Sequence, residues 1–109
     1  MLSIFKNLFS PFAEASELKQ AIKNEAYLVD VRSSYEFSHG SLRGAVNIPL
    51  PEIKNKIKEL KGKKNLVLFC RSGNRSNQAK ILLEQNGIQN VFNGGSLSNV
   101  QRILDKIND

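Results

Sequence analysis

The 109 residues predict an α/β class fold: a small three-layer domain with a mostly parallel central sheet and helices on both faces. Three observations carry this reading. Short runs of β-forming residues alternate with segments whose apolar residues recur at helical spacing. The links between them are short. No repeat or low-complexity tract interrupts the alternation.

Residues 1–12 carry Leu2, Ile4, Phe5, Leu8, Phe9 and Phe12 but are broken by Lys6 and Asn7. That stretch is too short to span a bilayer and lacks a small-residue cleavage site. Residues 1–13 are therefore read as an apolar arm that packs on the domain, with contact to a membrane surface or a partner as the alternative, and residues 14–109 as the domain itself. A first helix is expected over residues 14–24, where Ala15, Leu18, Ala21 and Ile22 share a face. Tyr27-Leu28-Val29-Asp30-Val31 reads as a strand buried on both faces. The polar stretch 32–43 reads as loop with one helical turn near residues 35–38. Residues 44–49 read as a short strand closed by Pro49.

Pro51 and the spacing of Ile53, Ile57 and Leu60 predict a second helix that stops at Gly62. The period then changes: Asn65-Leu66-Val67-Leu68-Phe69-Cys70 is the strongest strand in the chain and belongs mid-sheet. Ala79, Leu82 and Leu83 mark a third helix over residues 76–86. Val91-Phe92 reads as a last strand, Gly94-Gly95 as a turn, and residues 97–107 as a closing helix with Val100, Ile103 and Leu104 inward.

A net charge of +6 and a pI near 9.7 give a surface field that attracts anions without saying which. Much of the excess lies in Lys54, Lys56, Lys58, Lys61, Lys63 and Lys64, interleaved with inward apolar residues, which is the pattern of a solvated helix face. These lysines are not interleaved with aromatics or set in a reader motif, so nucleic acid is not expected as a partner. A single cysteine cannot form an internal disulfide, so the chain suits a reducing, cytoplasmic compartment. Nothing fixes the oligomeric state.

The chemistry concentrates in Cys70-Arg71-Ser72-Gly73-Asn74-Arg75-Ser76, between the most buried strand and a helix start. A loop there curls so that backbone N–H groups converge, and the helix adds its free N–H groups and the positive end of its dipole. A thiol at the bottom of such a cradle has its thiolate favoured by those amides and by Arg71 and Arg75. Taken alone, a cysteine ending a strand is more often a small buried apolar residue than a nucleophile. The six residues that follow tip the balance, since they would pack poorly as a strand end and suit an anion.

These segments resemble the rhodanese homology domain from about residue 28 to residue 95. The resemblance rests on Asp30-Val31-Arg32 ending the first strand, Glu36-Phe37, Gly44-Ala45-Val46-Asn47-Ile48-Pro49, the loop from Cys70 to Ser76, and the pair Gly94-Gly95. It implies a small three-layer rhodanese-like fold and a single-domain sulfurtransferase. It also implies that Cys70 carries a persulfide held by the loop amides of Ser72, Gly73, Asn74 and Ser76, with Arg71 and Arg75 contacting the anion. In relatives that act as protein phosphatases the loop arginine stands six residues after the cysteine; Arg75 stands five after Cys70, the spacing of the sulfur-transfer type.

Two departures from the family pattern stand out. Ser41 occupies the place where many members carry histidine, and no tryptophan follows Gly95. His39, the single histidine, is given no catalytic role. Asp30 and Arg32 either pair to tie the loops above the sheet or line the pocket entrance. The resulting expectation is a thiosulfate-type sulfurtransferase that uses a small anionic donor, a cyanide or thiol acceptor that includes protein thiols, and neither metal nor organic cofactor. Its rival is a non-catalytic sulfur-carrier or protein-binding module.

Overall fold

The computed structural model describes residues 11–109. Residues 1–10 of the expected arm lie outside them. The elements run α1 (Pro11–Lys23), β1 (Tyr27–Asp30), α2 (Ser34–Ser38), β2 (Val46–Asn47), a 3-10 segment (Leu50–Asn55), α3 (Ile57–Lys61), β3 (Leu66–Cys70), α4 (Asn74–Gln85), β4 (Val91–Ser96) and α5 (Leu97–Ile107). The strands form one four-stranded sheet in the order β2-β1-β3-β4, and every pairing is parallel.

All five residues of β3 are buried, as its unbroken apolar run demands. Their side chains alternate between two cores. Leu66, Leu68 and Cys70 join Val29, Ile53, Leu60, Ala79 and Leu83 on the face covered by α4, α3 and the 3-10 segment. Val67 and Phe69 join Leu18, Ala21, Ile22 and Val100 on the face covered by α1 and α5. The three-layer reading therefore holds, with β3 buried from both faces and the outer strands partly exposed.

Several local expectations change, beginning with α1, which opens at Pro11 and not at residue 14. The helix expected from Pro51 onward is split at Lys56, whose φ of −116° separates the 3-10 segment from α3. Ile53 and Leu60 are still the buried positions, because apolar spacing fixes the inward face but does not distinguish a 3-10 turn from an α turn. The strand expected over residues 44–49 is reduced to Val46–Asn47, although Ile48 and Leu50 still donate to the carbonyls of Asp30 and Val31. Ala15, expected inward on α1, is exposed, and α4 opens at Asn74 rather than at Ser76.

Gly94-Gly95, expected as a turn, lies inside β4. Leu68 pairs with Asn93 and Phe69 with Gly95, so Gly94 is the additional residue of a bulge. A Cβ at Gly94 would stand 2.6 Å from Val100 Cγ2 and 3.0 Å from Val67 Cγ1. The missing side chain is what lets α5 close on the sheet there.

Candidate active site

From β1 the chain crosses to β2 on one side and then to β3 on the other, so the order reverses between β1 and β3. The C-terminal ends of strands at such a reversal open a crevice. Asp30 ends β1 and Cys70 ends β3, which places both at this crevice.

The loop after Cys70 is short and closed by Gly73, the N-cap of α4, whose φ of 100° is a left-handed conformation that favours glycine. A Cβ there would also meet Gly95 Cα at 3.3 Å, so the loop after Cys70 packs directly on the β4 bulge. This turn aims the Gly73 N–H at Cys70 Sγ, 3.0 Å away. Cys70 is 1% exposed. Burial pushes its thiol up, while hydrogen bonds with the Ser76 hydroxyl and the backbone N–H groups of Ser76, Gly73 and Ser72 pull it down. The hydrogen bonds win, and the thiol lies below the ordinary cysteine range.

Ser76 is fully buried, with Oγ 3.4 Å from Cys70 Sγ, and donates to Asn93 Oδ1 at 2.7 Å. Asn93 also accepts the Gly95 N–H (2.9 Å) and donates from Nδ2 to the Gly73 carbonyl (3.2 Å). One β4 side chain thus links the bulge, the loop and the serine beside the sulfur. Sequence reading missed it, because an asparagine before two glycines looks like turn punctuation.

Arg71, Ser72 and Asn74 are exposed around the loop, and Ser76 lies beneath it. Arg75 is engaged elsewhere: its guanidinium donates to both carboxylate oxygens of Glu36 on α2, at 2.6 and 3.0 Å. Glu36 also closes a capping box with Ser33. Arg75 first, and then the Ser33 N–H, hold the Glu36 carboxyl down at about 2. Arg75 further lines an open groove of about 420 Å³ walled by Val31, Pro49 and Leu50. A larger groove, about 670 Å³, lies beside Tyr27 and Asn65, at the N-terminal ends of the strands and away from Cys70.

Asp30 and Arg32 pair, one of the two arrangements expected for them. The fully buried Asp30 carboxylate accepts the Arg32 backbone N–H, Nε and Nη2, and also the Ser41 hydroxyl at 2.7 Å. Arg32 Nη2 continues to the Gly40 carbonyl, and Asn47 Nδ2 donates to the carbonyls of Asp30 and Arg32. Ser41, the departure from the family pattern, is thereby part of the scaffold. His39 Nδ1 contacts the Tyr35 carbonyl on its own helix.

Among the described residues, no cluster of three or more His, Cys, Asp or Glu could hold a metal ion, and no helix is long and apolar enough to cross a membrane.

Residues 14–100 match the rhodanese-like domain. The chain is 35% identical over 74 residues to thiosulfate sulfurtransferase PspE of Escherichia coli, covering 66% of this chain and 71% of PspE. It is 33% identical over 105 residues to a tRNA uridine(34) hydroxylase of Hamiltonella defensa, covering 87% of this chain but 29% of that protein. Its fold is similar to that of the human single-domain sulfurtransferase TSTD1, with a TM-score of 0.64 and 29% identity over 80% of this chain and 91% of the other. The family match, the parallel sheet and the cysteine cradle agree: this chain belongs to the rhodanese-like domain family.

Proposed function

We propose that the protein is a thiosulfate-type sulfurtransferase of the cytoplasm with Cys70 as its nucleophile. The observation that carries this reading is the seat of Cys70 Sγ, on the floor of a loop whose Gly73 N–H reaches it at 3.0 Å at the start of a twelve-residue helix. The similarity to PspE supports the choice of donor.

The Cys70 thiolate attacks the outer sulfur of the donor, for which thiosulfate is the reference. The donor's S–S bond breaks, its electron pair leaves with sulfite, and Cys70 is left as a persulfide. An acceptor, either cyanide or a thiolate, then attacks the outer persulfide sulfur and returns Cys70 as thiolate. The amides of Ser72, Gly73, Asn74 and Ser76 hold the persulfide charge, and Arg71 and Arg75 attract the donor's oxyanion. For Arg75 this requires exchanging part of its Glu36 pair for the donor. Asp30 and Arg32 hold the crevice walls without touching the reacting atoms.

Intact-protein mass after incubation with thiosulfate tests the assignment on wild type and Cys70→Ser. A gain of about 32 Da, one sulfur, that requires Cys70 and is discharged by cyanide is the expected result. A folded, reduced protein that never gains sulfur would overturn the donor assignment and favour the binding-module reading.

A further inference from the structure

The hydrogen bonds around Cys70 fix where the Ser76 proton points, and the consequence runs against the simplest view of this serine. Asn93 is held at both ends by backbone: its acceptor atom takes the Gly95 N–H, and its donor atom gives to the Gly73 carbonyl. Those two bonds determine which end of the amide is oxygen. Ser76 therefore faces a carbonyl oxygen at 2.7 Å, which accepts only, so the one Ser76 proton is committed to Asn93. At the 3.4 Å contact with Cys70 Sγ, Ser76 then presents lone pairs, and the sulfur is the donor. The resting arrangement is a chain from the Cys70 S–H to Ser76 Oγ and from the Ser76 O–H to Asn93 Oδ1. It requires the protonated thiol.

We propose that Asn93 is a positioning residue that acts through Ser76, holding Cys70 as a thiol at rest and setting how readily it ionises. When the thiol proton leaves to solvent base, Ser76 keeps its own proton and turns it from Asn93 to the sulfur. Asn93 Oδ1 retains the Gly95 N–H. Ser76 thus contributes to the thiolate only the difference between its bond to sulfur and the bond it gives up at Asn93. The charged groups around Cys70 are Arg75 on α4, paired with Glu36, and Asp30 on β1, paired with Arg32; β4 carries no charged residue and Arg71 is exposed. The inference needs Cys70 only as an ionising thiol, so it stands apart from the identity of the sulfur donor.

The test is the rate of Cys70 alkylation against pH, with a thermal melt to show that each variant is folded. Asn93→Ala should release the Ser76 proton and move the alkylation midpoint down by about half a pH unit, the worth of one neutral hydrogen bond. In a Ser76→Ala background the same change should move it by far less. A midpoint that rises, stays fixed, or shifts equally in both backgrounds overturns the proposal, and a rise is what loss of the loop anchor alone would give. If Asn93→Ala does not fold, Asn93→Asp takes its place, keeping an acceptor for Ser76 and Gly95. The midpoint should then rise with Ser76 present and rise less without it; an equal rise in both backgrounds would be the field of the new charge alone and would overturn the proposal.

Discussion

Two arginine–carboxylate pairs flank the crevice, and they are built differently. Asp30 and Arg32 are two residues apart, and their side chains are 0% and 12% exposed. Glu36 and Arg75 are 39 residues apart and 27% and 35% exposed. Asp30 has a full complement of donors from Arg32 and Ser41, so nothing is left over for a ligand. The Glu36–Arg75 pair joins α2 to the first turn of α4, and its arginine lines a groove. A buried charge pair is expensive to break because the survivor is stranded, whereas a partly exposed one exchanges partners cheaply. The first pair is a strut; the second is suited to yield its arginine to an incoming anion.

The largest effect expected from this contrast falls on stability. Asp30→Ala strands Arg32 and removes the acceptor for Ser41, and should cost about 3–5 kcal/mol in urea unfolding at neutral pH. A cost no greater than that of breaking the Glu36 pair would erase the distinction between strut and exchangeable pair.

Arg75→Ala should separate the pairs in the opposite sense. Loss of one charge-assisted contact to the donor should raise KM for thiosulfate by about tenfold, while stability falls by no more than about 1 kcal/mol. Unchanged kinetics with a folded protein would remove Arg75 from donor binding and leave it as a clamp on α2.

How much of this was legible follows the range of the interactions. The sheet was readable because β3 is an unbroken apolar run, and the cysteine cradle because its loop is contiguous in sequence. The Asp30–Arg32 pair spans two residues and was anticipated as one of two options. The Glu36–Arg75 pair was not: both residues stood in the motifs, but nothing local joins α2 to α4. Asn93 was hidden for a similar reason, since its partners Ser76 and Gly73 meet it only through the β3–β4 pairing. The bulge at Gly94 depends on the nearness of Val100 and Val67, which spacing along the chain does not encode.

Glu36→Gln sharpens the comparison most finely. Glutamine keeps the N3 position of the capping box with Ser33, so the substitution removes the charge while sparing the cap. Freed from its counterion, Arg75 should take thiosulfate more readily, lowering KM by about two- to threefold; a higher KM would mean that Glu36 aims the arginine rather than competing for it. The same variant reports the pair's share of stability through pH. Glu36 sits at about 2 in the folded protein and near 4.3 when unfolded. A carboxylate lowered on folding contributes fully above its unfolded value and loses that contribution as pH falls toward its folded value. The difference in melting temperature between wild type and Glu36→Gln should therefore be constant above about pH 5, be half gone near about pH 3, and vanish near about pH 2. Because the pair is partly exposed, added salt should shrink the difference at every pH, whereas the loss caused by Asp30→Ala should hardly respond to salt. Equal salt sensitivity in the two variants would show that burial does not separate the pairs.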